Sequence, residues 1–489
     1  MHDPNERTAP ADHRVTFAVL AAAVAAFALL QSLVTPVLAT IQHDLGTDQA
    51  TATWVLTAYL LSASIFTPIV GRIGDAVGKE RMLLVTLSAL GAGSLLAALA
   101  TDVRVLIAAR VVQGIGGGVL PLAFGIVRDE FPRERVAGAV GALAALMAVG
   151  GGLGIVLAGP IVSALDYHWL FWFPLIIVSL AALATYALVP ASPVRTPGRV
   201  SVLPAALLSA WLVCLLLPVS QGHTWGWGSV RVLGLLAAAV ALAVAWAAAE
   251  QRSDAPLIDL AMMRLPAVWT TNLVALLIGV GMYATFGFLP QFLQTPASAG
   301  YGFGSSITES GLILLPWSVT MFAAGLASGR LVARHGAKAV VLAGSCVAVV
   351  PFLLMAFAHD TVWQLCLATA VLGVGFGLAF SAMSALIVDA VPPEQTGVAS
   401  GMNANIRTIG GSVGAAVMSG IVTAGASSEG LPAESGYTWG FAALAGAAAL
   451  AALAALLVPR ARRTVSRAEA EHPEAALVAG ATVVGDRAG

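Results

Sequence analysis

Positive charge in this chain falls between its apolar stretches, and mostly on every second gap. About fourteen stretches are long enough to cross a bilayer, since a spanning helix needs ~20 residues. They run 15–40, 51–71, 82–100, 103–127, 136–164, 169–190, 203–220, 231–249, 268–293, 308–329, 337–358, 362–389, 397–423 and 438–458. Arg7 and Arg14 precede the first stretch; Arg72, Lys79 and Arg81 follow the second; Arg128, Arg133 and Arg135 follow the fourth. Arg195 and Arg199, then Arg252 and Arg264, then Arg330, Arg334 and Lys338 fill later even-numbered gaps. Arg460, Arg462, Arg463, Arg467 and Arg487 sit in the tail, whereas the opposite gaps hold only Arg104 and Arg231. Lys and Arg are retained on the cytoplasmic side of a membrane. The pattern therefore predicts an all-α polytopic inner-membrane protein of fourteen transmembrane helices with both termini cytoplasmic. Only Arg110 and Arg407 remain inside the stretches.

Composition agrees: 10% of residues are charged, against ~25% in an average soluble chain. The first fourteen residues carry Asp3, Glu6 and Asp12 beside two arginines. The apolar run that follows is too long for a signal-peptide core, so an uncleaved first span is expected. Cys214, Cys346 and Cys366 each fall within a span, where cysteine behaves as a small hydrophobe; no disulfide framework is expected. The eight histidines are scattered without metal-ligand spacing, so no metal is expected.

The chain repeats itself at an offset of about 259 residues. Gly114-Ile-Gly116-Gly-Gly118 returns as Gly373-Val-Gly375-Phe-Gly377, and Phe131-Pro132-Arg-Glu134 as Val391-Pro392-Pro-Glu394. Gly151-Gly152-Leu-Gly154 returns as Gly410-Gly411-Ser-Val-Gly414, and Gly71-Arg72-Ile as Gly329-Arg330-Leu. Internal symmetry of this kind marks transporter folds whose substrate site lies near the midplane between two halves. The expected organisation is a cytoplasmic N-terminus (1–14), a six-helix half (15–190), linkers with two inserted helices (191–267), a second six-helix half (268–458) and a cytoplasmic tail (459–489).

Three segments resemble the major facilitator superfamily, and within it the fourteen-span drug:proton antiporters, over about residues 15–458. Gly71-Arg-Ile-Gly-Asp75-Ala-Val-Gly78-Lys79-Glu-Arg81 resembles the signature loop between spans two and three. Arg110-Val-Val-Gln113-Gly114 resembles the fourth-span motif, and Gly150 with Gly154 to Gly159 the fifth-span motif associated with antiport. The fifth-span match is imperfect, with Ile155 where the family's pattern has proline and Ala158 beside Gly159 in place of glycine. The resemblance implies two six-helix halves plus two extra helices, alternating access, and proton coupling with no cofactor.

The loop motif has a physical reading. A tight turn between two helices suits Gly71 and Gly78, since glycine adopts strained backbone angles readily. Asp75 needs a partner, and the segment 390–396 carries no cation. The positive end of the helix that starts near Thr396 is therefore the expected anchor for its carboxylate. Lys79 and Arg81 are expected to pair with Asp129 or Glu130. The resulting latch would close the cytoplasmic face and release as the halves rock, with Asp75 as the conformational-switch residue.

Arg110 lies roughly 10 Å and Arg407 about 15 Å into their spans, at 1.5 Å per residue. An arginine in the membrane is costly and by default marks a bundle interior or substrate path, so both are expected at the cavity or its wall. Gln113 stands at i+3 from Arg110 and shares its face. Glycines at 141, 150, 154 and 159 would let the fifth span pack closely. Tyr59, Tyr283 and Phe286, with Trp54, fall in spans that resemble cavity-lining ones. The family's first-span motif places an aspartate at about Gln31. No Asp or Glu lies deep in any span; Glu309, at the edge of 308–329, comes closest and is one candidate proton carrier, the other being the substrate itself. Two buried arginines without a buried carboxylate would make the cavity positive and favour neutral or anionic hydrophobic compounds over cations.

An enzymatic function is not expected. A phosphate-binding loop needs G-x-x-x-x-G-K-[ST], but Gly78-Lys79 is followed by Glu80 and preceded by Ile73 at the first glycine position. No polar segment exceeds about thirty residues, which leaves no room for a catalytic or nucleic-acid-binding domain. The expected function is proton-coupled export of hydrophobic small molecules such as antibiotics by a monomer in the lipid bilayer. The alternatives are a proton-coupled carrier of an organic anion or metabolite, and a non-transporting membrane sensor of the same fold.

Overall fold

The structure, a computed structural model, describes residues 13–47, 49–192, 201–253, 256–423 and 432–459. Expectations for 1–12, for most of linker 191–202 and for the arginines of the tail fall outside these residues. Among the described residues all regular structure is helical, as a bilayer demands of a chain that must satisfy its own backbone hydrogen bonds.

Fourteen long helices follow one another. In the first half they are α1 His13–Leu33, α2 Gln49–Val77, α3 Lys79–Ala98, α4 Val103–Glu130, α5 Arg133–Ala164 and α6 Trp169–Leu188. Next come α7 Val202–Trp225 and α8 Val230–Gln251. The last six are α9 Pro266–Gln294, α10 Ile307–His335, α11 Ala337–Phe357, α12 Val362–Ala390, α13 Thr396–Thr423 and α14 Glu434–Leu457. Thirteen of these are apolar enough by composition to cross a membrane; α13 is equally long but carries Asn403, Asn405 and Arg407. The outer wall is apolar, with Leu183, Val240, Phe357 and Leu453 all exposed, which suits lipid rather than water.

The packing repeats with the sequence. In the first six helices α1 packs on α5, α2 on α4 and α3 on α6; in the last six α9 packs on α13, α10 on α12 and α11 on α14. Between them α5 lies along α10, and α2 lies along α13. Glycines sit at the α2–α4 contact and at its counterpart between α10 and α12. Gly114, Gly117 and Gly118 of α4 press on Ser62, Thr67 and Val70 of α2, as Gly373 and Gly377 of α12 press on Trp317 and Met321 of α10. Without a hydrophobic drive between helices in lipid, such close backbone approach supplies the attraction. In α4 the run Ile115–Gly118 winds as a 3₁₀ turn.

The inserted pair packs as a hairpin, with Trp211 and Trp246 stacked at 5.4 Å. Its first member, α7, touches both α2 and α13. Leu208 and Leu212 of α7 join Met262, Ile387, Val398 and Met402 in one buried apolar cluster. The hairpin therefore lies across the seam between the two sets of six helices.

Two expectations need correction here. Residues 71–77 are not a loop but the last turns of α2; only Gly78 makes the turn, at φ +123°. Cys346 is exposed on the wall of α11 rather than buried, while Cys214 and Cys366 are half-buried.

Candidate functional site: a gate between the halves and a polar core

The gate forms where α2 meets α13. Gly71 is a contact glycine, not a turn glycine: a Cβ there would lie 2.6 Å from the Gly397 carbonyl oxygen. One turn further, Asp75 is fully buried and its carboxylate receives the backbone N–H of Gly397 at 3.3 Å and of Val398 at 3.2 Å. These are among the first N–H groups of α13, which lack partners within their own helix and carry the positive end of its dipole. The anchor expected near Thr396 is thus the place where the carboxylate sits.

Lys79 is also fully buried. Its Nζ lies 2.7 Å from Asp129 Oδ2 and 3.7 Å from Asp75 Oδ1. Asp75 therefore has a cation within its own segment as well as a helix end across the seam. Arg81 does not join them: it is largely exposed and approaches Glu80 at 3.7 Å. Lys79 and Arg81 are two residues apart, ~200° around a helix, so one faces in and the other out. Arg128 Nη1 reaches Thr396 Oγ1 at 3.2 Å, adding a second polar bridge across the same seam.

Arg110 is fully buried within the first six helices. Its Nε donates to the Val55 carbonyl at 3.1 Å and Nη1 to Gln113 Oε1 at 2.7 Å, while the guanidinium lies 4.2 Å over the Tyr59 ring. Gln113 in turn donates to Ser94 Oγ at 3.1 Å. The group knits α2, α3 and α4 together, and Arg110 and Gln113 do not line the central cavity.

That cavity lies between α4, α12 and α13. It is lined by Leu120, Pro121 and Phe124, by Phe380, Ser384 and Ile387, and by Ser400, Asn403, Ala404 and Arg407. Its volume is about 10 Å³, room for a single water. Arg407, 6% exposed, sits 4.2 Å over Phe380 with Tyr283 beside it. Tyr283 is half-buried and would be struck by a Cβ at Gly411. Phe286 stacks on Trp317 at 4.4 Å, which ties α9 to α10.

The α5 glycines face two ways. Gly150 and Gly154 meet Ala28 and Ser32 of α1, whereas Gly159 meets Thr308 of α10. Gln31 is half-buried on α1, next to Ser32. Glu309, one candidate proton carrier, is exposed and committed to a capping box: its Oε2 accepts from the Ser306 N–H at 2.7 Å. It belongs to the start of α10, away from the central cavity.

Sequence reasoning did not find Ser400 and Asn403, or Asn272, which accepts from Asn403 Nδ2 at 2.8 Å. The signal was present, because 400, 403 and 407 share one face of a helix.

Among the described residues, two pseudo-symmetric sets of six bilayer-length helices and an inserted hairpin, with a polar gate and a central cavity between the sets, define a polytopic membrane carrier. The model for the Major Facilitator Superfamily matches residues 20–415 and 271–486, and the chain belongs to that family. It is a multi-pass membrane transporter, not an enzyme. The chain is 27% identical to the multidrug transporter protein MdtP of Bacillus subtilis, over 78% of this chain and 70% of that one. It is 28% identical to the tetracenomycin C resistance and export protein of Streptomyces glaucescens, over 82% and 74%. An uncharacterized MFS-type transporter of Mycobacterium tuberculosis is 30% identical over 83% of this chain, which spans 59% of that longer protein. The crystal structure of the human organic anion transporter MFSD10 has the same fold, with a TM-score of 0.67 and 17% identity, covering 90% of this chain and 99% of that one.

Proposed function

We propose that this protein is a secondary active exporter of hydrophobic small molecules, antibiotics among them, working by alternating access with both termini cytoplasmic. The observation that carries the reading is the Asp75 contact with Gly397 and Val398. It joins the two sets of six helices through a carboxylate and a helix end, with one further polar bridge beside it, from Arg128 to Thr396. Such a contact separates at modest cost, as a gate must. Lys79 remains with Asp129 when it parts, so neither charge is stranded.

Export of drugs is supported by the relatives, whose names are those of a multidrug transporter and an antibiotic resistance and export protein. Proton coupling follows from the resemblance to drug:proton antiporters. The cytoplasmic position of the termini follows from the arginine and lysine distribution. The test is purified protein in liposomes under an imposed pH gradient, with a panel of cationic, neutral and anionic hydrophobic compounds. Gradient-driven movement that disappears in Asp75→Asn supports a proton-coupled carrier gated by this contact. Movement that ignores the gradient removes the proton coupling, and no movement of any compound removes the carrier.

A further inference from the structure

We propose that Arg407, with Ser400 and Asn403 on the same face of α13, is the subsite that takes the anionic head of a hydrophobic substrate: a carboxylate, phenolate or sulfonate. The inference rests on the carrier reading above and names its substrate class.

Position is the first argument. Ser400, Asn403, Ala404 and Arg407 recur at the spacing of one helix face and together form the α13 wall of the central cavity. The opposite wall, Leu120, Pro121 and Phe124, comes from the first six helices. A ligand there would touch both halves, as a carrier's ligand must if its binding is to be coupled to rocking.

The second argument is where the two intramembrane arginines stand. Arg110 donates to a backbone carbonyl and to Gln113, and its leftover Nη2 is buried inside the first six helices, off the cavity. Arg407 has no carboxylate within ion-pair distance among the described residues; its one side-chain hydrogen bond to an ionisable group is with Tyr283. Its Nε is buried without a hydrogen-bond acceptor, and the Ser400 hydroxyl on the same wall is likewise without a partner. The Phe380 ring beneath the guanidinium offsets part of the cost of burial but accepts no hydrogen bond from Nε. Helix α13 thus holds a positive charge and unpartnered polar atoms at a cavity whose other walls are aliphatic and aromatic but for Ser384.

The chemistry follows. A guanidinium presents a planar fork of N–H donors that matches a planar carboxylate in two parallel hydrogen bonds. Phe124 and Phe380 would flank the hydrocarbon part of such a molecule. An organic cation meets the opposite situation, a like charge in a low-dielectric site with no acid to receive it.

The experiment uses the full-length protein in lipid nanodiscs and three fluorescent probes on one hydrocarbon skeleton: anthracenecarboxylate, anthracenecarboxamide and anthracenylmethylammonium. Affinities are measured at neutral pH for the wild type, Arg407→Gln, Arg407→Lys and Ser400→Ala. The wild type is expected to bind the carboxylate ~10-fold or more tightly than the carboxamide, as a charge-assisted pair implies, and the ammonium most weakly. Arg407→Gln should erase that preference while leaving carboxamide affinity within about 2-fold, and Arg407→Lys should keep part of it. Ser400→Ala removes a hydroxyl that has no partner and should fold normally, yet weaken the carboxylate ~3-fold through one lost hydrogen bond. A wild type that prefers the ammonium, or a carboxylate preference that survives in Arg407→Gln, overturns the subsite. Neutral or cationic probes moved across liposomes without any anion preference overturn the subsite and leave the carrier standing. Failure of every compound to move removes both.

Discussion

Gly71 and Gly397 meet backbone to backbone across the two sets of six helices, with no space for a methyl group on either. A Cβ on Gly71 would stand 2.6 Å from the Gly397 carbonyl oxygen, and one on Gly397 would stand 2.8 Å from the Gly71 carbonyl oxygen. The repeat-related pair is closed on one side only: a Cβ on Gly329 would lie 3.0 Å from Gly138 Cα, whereas one on Gly138 would meet nothing within 4 Å. Neither backbone can yield as a side chain could. Gly71→Ala should therefore weaken closure at this face by ~1–3 kcal/mol, which raises the open population about tenfold. A cysteine placed at buried Thr396, in a background free of the three native cysteines, reports this through its reactivity with a membrane-impermeant maleimide. Unchanged reactivity in Gly71→Ala would mean that the glycine contact does not set the closed state.

Asp75 and Lys79 should differ in what their loss costs. Asp75→Asn keeps the shape and removes a charge–dipole contact worth ~2 kcal/mol and a 3.7 Å approach to Lys79, which keeps Asp129 as its partner. Lys79→Met leaves Asp75 and Asp129 buried without the cation that approaches both, a loss of ~3–5 kcal/mol. Thermal unfolding in detergent should place Lys79→Met well below Asp75→Asn. Asp75→Asn should still lose transport at least ~10-fold, because the gate and not the fold depends on it. The reverse order of stability would mean that Lys79 is the gate and Asp75 the structural residue.

The spans and their order were legible because the bilayer imposes a rule that sequence displays directly: backbone groups must pair within a helix, and cations stay at the ends. The partner of Asp75 was legible by elimination, since the segment before α13 offered no side-chain cation. Gly71 was misread because a turn glycine and a contact glycine look alike until the opposing helix is known. Arg81 was grouped with Lys79 because charge alone does not reveal which side of α3 faces the bundle. The reading of Glu309 as a proton carrier passed over a local signal, for Ser306-Ile-Thr-Glu309 has the capping-box spacing that the structure realises. Arg110 and Arg407 looked equivalent in sequence. Only the packing of the other helices separates an arginine enclosed within one half from one that lines the cavity between the halves.

Arg110 should behave as a framework residue. Arg110→Lys retains the charge but loses the planar fork that joins Val55 and Gln113. Two hydrogen bonds from a charged donor are at stake, so a loss of at least ~2 kcal/mol is expected. Tyr59→Phe is the control: it keeps the ring beneath the guanidinium and removes a hydroxyl that is buried without a partner. That change should be neutral or slightly stabilising. Thermal unfolding of the two variants decides the matter, and a Tyr59→Phe protein less stable than Arg110→Lys would show that the hydroxyl, not the guanidinium, holds α2 to α4.

Gly150 and Gly152 are two residues apart on α5 and face different partners, which makes them a test of whether the halves move as rigid bodies. Gly150 lies on α1, where a Cβ would stand 2.6 Å from Ala28 Cβ and 3.0 Å from the Ala25 carbonyl oxygen. Gly152 lies on the other set of helices, against Ser318 of α10. If alternating access rocks one set against the other, the Gly150 contact persists through the cycle and the Gly152 contact is remade in each turn of it. Gly150→Ala should then destabilise the fold by ~1–3 kcal/mol while turnover per folded molecule stays within about 2-fold. The methyl added by Gly152→Ala would collide with Ser318 Cβ, which no rotation of the hydroxyl relieves. It too should lower the melting temperature, but the closed conformer alone bears the cost, so turnover should change ~5-fold or more, as a ~1 kcal/mol bias on one state implies. Melting and proteoliposome turnover measured side by side separate these outcomes. Equal effects on turnover from both variants would mean that α5 shifts against α1 during transport, and that the first six helices are not one rigid unit.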